Sequence, residues 1–221
     1  MEDAEWNDFE AAYLAGREDT EIFMDGVQKF FSRHSLLKTD GVSVVHSIKA
    51  RMKGLENLRA KIERKNSEGR GITPENLFEE VTDLAGVRLL LLFQGDFATV
   101  DAAIRAKVEG EDWVFHERPK AFTWDPEASL FFKNFDLQVD QRDTSYTSVH
   151  YLLKPRADRP ICCELQVRTL FEEIWGEIDH RINYPVPTDN VSCREQLKVL
   201  SKIVGAGSRL ADSIQRSLEK D

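Results

Sequence analysis

The stretch "CCELQVRTLFEEIWGEIDHRIN", residues 162–183, decides the fold. Its first part reads as a strand over 161–168 and its second as a helix over 170–183. Thr169 followed three residues later by Glu172 has the spacing of a capping box, in which each side chain satisfies the other's backbone N–H. "YPVP" then stops the helix, because proline cannot continue it. Successive strand side chains point to opposite faces, so Glu164, Gln166 and Arg168 share one face and Cys163, Leu165 and Val167 take the other. A solvated outer face would explain that polar row, and so would a working site. Glu164 lies mid-strand, where acidic residues are disfavoured. A carboxylate placed there suits Mg2+, which needs one or two protein carboxylates and fills its octahedron with substrate phosphates and water.

Outward from this stretch, helical periodicity predicts helices over 4–16, 20–34, 55–66, 95–108 and 190–219, with a short helix and turn in "ENLFEEVTDLAG". Gly41 releases a short strand in "VSVVHSIKARMKG", and "VRLLLLF" (87–93) is apolar enough for a central strand buried on both faces. Further strands are expected at 112–117, 129–139 and 146–154. Helices, mixed strands and helices in that order describe an α+β fold, a mixed β-sheet flanked by helices, with N-terminal helices and a long C-terminal one. The expected division is a helical segment over 1–40, a central domain over 41–186 and a C-terminal helix over 187–221. In that last helix Leu197, Leu200, Ile203, Ala206, Leu210 and Ile214 make an apolar stripe that could pack on the domain or build a homo-oligomer.

The 221 residues carry a formal net charge of −9, which excludes a nucleic-acid coat but not a local basic groove. No run reaches the roughly 18 apolar residues of a membrane span, and the acidic N-terminus lacks a signal pattern. A cytoplasmic protein with no membrane partner is expected. The three cysteines are odd in number and two are adjacent, so buried free thiols fit better than a disulfide framework or a zinc pair.

Three further stretches carry chemistry. In "DLAGVR" (83–88), Asp83 precedes a Gly turn, and Arg88 is a charge inside an apolar strand that needs a core carboxylate or a ligand phosphate as partner. In "YTSVHYLLK" (146–154), Tyr146, Ser148 and His150 share a face; a Tyr ring can stack on a base and a His can meet a phosphate, although either is more often a core residue. In "RMKGLENLRAKIERK", Asn57, Lys61 and Arg64 share a helix face, with Arg51 and Lys53 just before it. Such a cluster would grip a polyphosphate, and a merely solvated basic helix is the competing reading. There is no P-loop, so side chains would have to hold the phosphates.

"DLAGVR", "YTSVHY" and "ELQVRTLFEEIWGEIDHRINYP" together resemble, in order and spacing, the synthetase domain of RelA/SpoT-type alarmone synthetases, over about Val45 to Pro185. The resemblance implies a nucleotidyltransferase-like fold and transfer of pyrophosphate from ATP to the 3′-hydroxyl of GDP or GTP, with Mg2+, giving (p)ppGpp and AMP. By the same resemblance Asp83 and Glu164 would be the metal-binding and catalytic carboxylates, with Glu164 as base. Arg51, Lys53, Asn57, Lys61, Arg64 and Arg88 would hold ATP. Arg142, Tyr146, His150, Gln166 and Arg168 would form the acceptor side, with Tyr146 as the platform for guanine. Trp175 reads as helix core, and His180 as a structural residue bonding back to the sheet.

The chain departs from the family pattern at "RDTSY", where Arg142 replaces Lys and Ser145 replaces Gly, and at Asn57, which replaces Ser. That loop bears on the acceptor, so relatives that modify the tRNA 3′ end or adenosine nucleotides imply an alternative. A degenerate nucleotide-sensing domain is a third reading. No H-D hydrolase signature is present, which implies a synthetase-only chain. Short members of the family often form tetramers, which leaves room for a homo-oligomer.

Overall fold

The computed structural model describes residues 2–39, 41–184 and 186–218. Pro185, the first proline of the "YPVP" stop, and Glu219, the expected last residue of the C-terminal helix, lie outside them. The sheet is organised around a parallel pair, β4 (Ala85–Leu91) and β9 (Cys163–Thr169). β3 (Val45–Met52) flanks β4 antiparallel, and β8 (Ser148–Lys154) flanks β9 antiparallel. β6 (Lys120–Thr123) and β7 (Gln138–Gln141) continue the sheet, giving the order β3-β4-β9-β8-β6-β7. β5 (Val114–Phe115) pairs with β8 off that path, and β1 (Lys38–Thr39) and β2 (Val42–Ser43) form a separate two-stranded ribbon.

Register separates the two faces. Val87, Leu165 and Tyr151 are cross-strand neighbours, as are Leu89, Val167 and Val149, and all six are buried. α1 (Asp3–Arg33) covers this face with Met24, Val27 and Phe31, and α4 (Phe97–Glu109) with Phe97, Val100 and Ile104. A second cluster joins Trp6, Phe9 and Tyr13 from the first half of α1 to Leu58 and Ile62 of α2 (Leu55–Ser67) and to Leu77 of α3 (Leu77–Glu80). Tyr13 donates its hydroxyl to the Lys53 carbonyl at 2.8 Å. The long helix α1 thus fixes the basic helix α2 relative to the sheet.

On the opposite face, Gly86, Arg88, Glu164, Gln166, Ser148 and His150 come into line across three strands. α6 (Leu170–Asn183) and α7 (Val191–Leu218) cover part of it. The Thr169–Glu172 capping box is present, and it turns the chain off β9 straight into α6. Trp175 is buried and donates Nε1–H to the Leu197 carbonyl at 3.1 Å, tying α6 to α7. Among the described residues no helix is long and apolar enough to cross a membrane.

Several sequence expectations change. The two expected N-terminal helices are one: Gly16 does not break α1, because its bare Cα receives the Phe78 ring, and Thr20 bonds back to the Gly16 carbonyl at 2.8 Å. Of the strand expected over 129–139, only Gln138 and Val139 are in a strand. Asp125 accepts the Glu127 N–H and Pro126 takes the first helical position to start α5 (Pro126–Phe132), whose Phe131 and Phe132, with Phe135, pack on Phe97. The strand in this region is β7, and the four-residue β6 gives too short a signal to read. Gly86 sits within β4 rather than in a turn before it. The expected apolar stripe of the C-terminal helix divides, its Leu197 end meeting the core and its Ile203 to Ile214 end facing out. Leu197, Ser201, Val204, Ser208 and Asp212 are buried, whereas Ile203, Leu210 and Ile214 face outward. Small residues face inward because the helices come close: a Cβ on Gly207 would lie 2.7 Å from the Phe171 ring.

That contact predicts that Gly207→Val lowers stability by about 1–3 kcal/mol through overpacking, read as a lower denaturant midpoint; an unchanged midpoint would show the two helices to be loosely docked. The thiols give a second prediction. Burial pushes Cys162 up to about 12 and Cys163 up as well, while Cys193 is half-buried. At about pH 8, one thiol per native chain should react quickly with a disulfide reagent, and the other two only after denaturation.

Candidate active site

Both oxygens of Glu164 are engaged. Oε1 lies 3.0 Å from His150 Nδ1, and Oε2 accepts from Gln166 Nε2 at 2.8 Å. A carboxylate can only accept, so Nδ1 carries a proton, and Nε2 lies 2.9 Å from the Tyr146 hydroxyl, accepting from it in a neutral ring and donating to it in a charged one. Burial pushes the Glu164 carboxyl up, but the His150 hydrogen bond and charge, with Gln166, outweigh it and hold the group below the usual glutamate range. Glu164 is therefore ionised at neutral pH. Its cross-strand neighbour on β4 is Gly86, so no side chain stands beside the carboxylate on that side.

Asp83 lies in the turn leading into β4. Lys61 of α2 reaches its Oδ1 at 2.7 Å, and Lys53, just after β3, reaches Oδ2 at 3.1 Å. Burial pushes Asp83 up, and these two ammonium groups bring it net below the usual range. Asp83 and Glu164 raise each other's cost of ionisation, as two carboxylates lining one site do. Among the described residues no three His, Cys, Asp or Glu side chains group to hold a metal. The donor set is thus two hard carboxylates, and the buried Oδ1 of Asp83 has the Lys61 ammonium as its recorded partner.

The remaining sequence-predicted residues divide. Arg51 pairs in register with Gly86, two strands from Glu164 on the same face, and is exposed. Asn57 is exposed and accepts the Tyr184 hydroxyl at 3.3 Å. Arg64 points away to Glu68, at 3.1 Å. Arg142 lies over the Phe122 ring at 4.3 Å, and Phe122 meets His150 edge-on at 4.9 Å. Arg168 is buried and lies 5.8 Å from the Tyr146 ring centre. Burial pushes the Tyr146 hydroxyl up.

Arg88 has the core carboxylate that its burial demanded. Its Nη1 lies 3.1 Å and 3.2 Å from the two oxygens of Glu173, and its Nε donates to Gln166 Oε1 at 3.2 Å. Glu173, Lys49 and Phe122 escaped the sequence reading. Lys49 had a signal: it alternates with Arg51 along one strand face. Glu173 had none, because an acidic residue in the first turn of a helix is ordinary. His180 does not bond back to the sheet; it is exposed and stacks on Tyr184 with ring centres 4.5 Å apart.

The family model described as "Region found in RelA / SpoT proteins" matches residues 50–189. GTP pyrophosphokinase YjbM of Bacillus subtilis (strain 168) is 23% identical over 219 residues, 97% of this chain and 89% of that protein. GTP pyrophosphokinase YwaC of the same organism is 23% identical over 154 residues, 67% of this chain and 63% of that protein. The solved small alarmone synthetase 1 from Bacillus subtilis superposes with a TM-score of 0.64 at 19% identity, over 99% of this chain and 100% of that one. A GTP pyrophosphokinase family protein from Streptococcus pneumoniae gives 0.65 at 20% identity, over 98% and 95%. The α+β fold expected from sequence is thus the fold of these structures. With the family match covering well over half its length, the chain belongs to the RelA/SpoT family.

Proposed function

We propose that this chain is a Mg2+-dependent pyrophosphokinase that moves the β,γ-pyrophosphate of ATP to the 3′-hydroxyl of GDP or GTP, yielding (p)ppGpp and AMP. The observation that carries the reading is the ionised Glu164, pinned at both oxygens on the open face of the sheet beside the lysine-held Asp83. Family membership supports it, as do relatives named GTP pyrophosphokinase and solved small alarmone synthetase 1 complexes with pppGpp and with AMPCPP.

Transfer of this kind depends on positioning and charge neutralisation more than on covalent help. The acceptor 3′-oxygen forms a bond to the β-phosphorus, the bond from that phosphorus to the α–β bridging oxygen breaks, and AMP leaves. Glu164 takes the hydroxyl proton, for which its depressed pKa keeps it ready. Lys53 and Lys61 hold phosphate charge from the β3 and α2 sides, with Arg51 on β3 and Asn57 on α2; Arg64 joins them only by leaving Glu68. Tyr146 offers a ring to the acceptor base, with Arg142 at the loop above it, while His150, Gln166 and Arg168 fix the base. Asp83 and Glu164 fit Mg2+ as one or two hard oxygen ligands to an ion that the nucleotide phosphates bring; bound there, it would neutralise the charge on the transferring group.

ATP labelled in its γ-phosphate, incubated with Mg2+ and GDP or GTP, should give AMP and a labelled guanosine product. Label on tRNA or on an adenosine nucleotide instead would move the acceptor, and nucleotide binding with no labelled product at all would remove the enzyme reading. Glu164→Gln should lower kcat by about 10²–10⁴-fold while the chain stays folded; wild-type turnover in that variant would dismiss Glu164 as the base.

A further inference from the structure

Glu173 is 5% exposed and gathers three cations on one carboxylate. Lys49 Nζ lies at 2.7 Å, Arg168 Nη2 at 2.7 Å, and Arg88 Nη1 at 3.1 Å. These cations come from three strands, β3, β9 and β4, so a single side chain of α6 ties the sheet together beneath the site. Resting on the reading of Glu164 as the base, we propose that Glu173 is the positioning residue that aims it, through two contact chains that part at Glu173 and meet again on the two oxygens of Glu164.

The first chain runs through Arg88. Glu173 holds the guanidinium by Nη1, which leaves Nε directed at Gln166 Oε1, 3.2 Å away. That contact decides which way the Gln166 amide faces. Its oxygen is used by Arg88, so its NH2 group must face Glu164, which it reaches at 2.8 Å. A flipped amide would set oxygen against carboxylate oxygen and repel the base. The second chain runs through Arg168. This guanidinium is buried, its Nε has no hydrogen-bond partner, and Glu173 is its one ion-pair partner recorded among the described residues. Held there, it lies against the Tyr146 ring, whose hydroxyl meets His150 Nε2 and so presents Nδ1–H to Glu164 Oε1. Gly176, one turn further along α6, makes the room: a Cβ there would lie 2.8 Å from Arg168 Nη1.

The competing role is a mere counter-ion for a buried arginine, and kinetics separate the two. Glu173→Gln keeps the shape but offers one carbonyl oxygen where two carboxylate oxygens served three cations, so Arg88 or Arg168 must lose its hold. The expected result is a kcat about 10–100-fold lower with KM for ATP within about threefold, because the base is misaimed while the donor-holding lysines are untouched. Combined with Gln166→Ala, the loss should be smaller than the product of the two single losses, because both changes act on one chain. A kcat within about twofold of wild type, losses that multiply, or a change confined to KM would each overturn the proposal. Should Glu173→Gln fail to fold, Glu173→Asp, which draws the carboxylate back by one methylene, takes its place in the same cycle. Failure of the pyrophosphokinase reading would look different: the wild type itself would transfer no label. The proposal then stands or falls on the crystal structure of the variant, where the Gln166–Glu164 or His150–Glu164 contact should open, and where both contacts retained would overturn it.

Discussion

The parallel pairing of β4 with β9 is the constraint on which the rest depends. It sets Gly86 beside Glu164 and Arg88 beside Gln166, and it delivers Asp83 at the mouth of the neighbouring strand. Slipping the pair by one residue would turn Glu164, Gln166 and Arg168 into the apolar core and bring Leu165 and Val167 out. The large buried surface on the other face, where α1 and α4 cover Val87, Leu89, Leu165 and Val167, opposes that slip. Packing on one face of the sheet thereby holds the chemistry on the other in register.

Much of this was legible before any coordinates, because the signals were local. The capping box at Thr169 and Glu172 marked the strand-to-helix junction, and alternation along 163–168 separated the polar from the apolar face. What escaped was set by distance along the chain or by competing local chemistry. The segment 129–139 is rich in phenylalanines that suit a strand, yet Asp125 and Pro126 start a helix just before it. Asn57 and Arg64 share a helix face with Lys61, but Asn57 meets Tyr184, Arg64 meets Glu68, and of the three Lys61 is the one recorded against Asp83. Glu173 was invisible because its three partners lie 124, 85 and 5 residues away in sequence.

The site also shows how a crowd of charges is kept apart in a small volume. Cations fall into two sets, each around its own anion: Lys53 and Lys61 on Asp83, and Lys49, Arg88 and Arg168 on Glu173. Glu164 stands between them, bonded only through the neutral amide of Gln166 and the ring of His150. No arginine or lysine is recorded against it among the described residues; its one charged contact is the His150 ring, charged only when protonated.

Asp83 has a consequence of its own. Its two oxygens bridge two ammonium groups that would otherwise repel each other, so a single anion gathers Lys53 and Lys61 at one point. Under the pyrophosphokinase reading proposed above, a triphosphate would meet lysines already gathered, and its binding would exchange one anion for another and uncover a hard oxygen ligand.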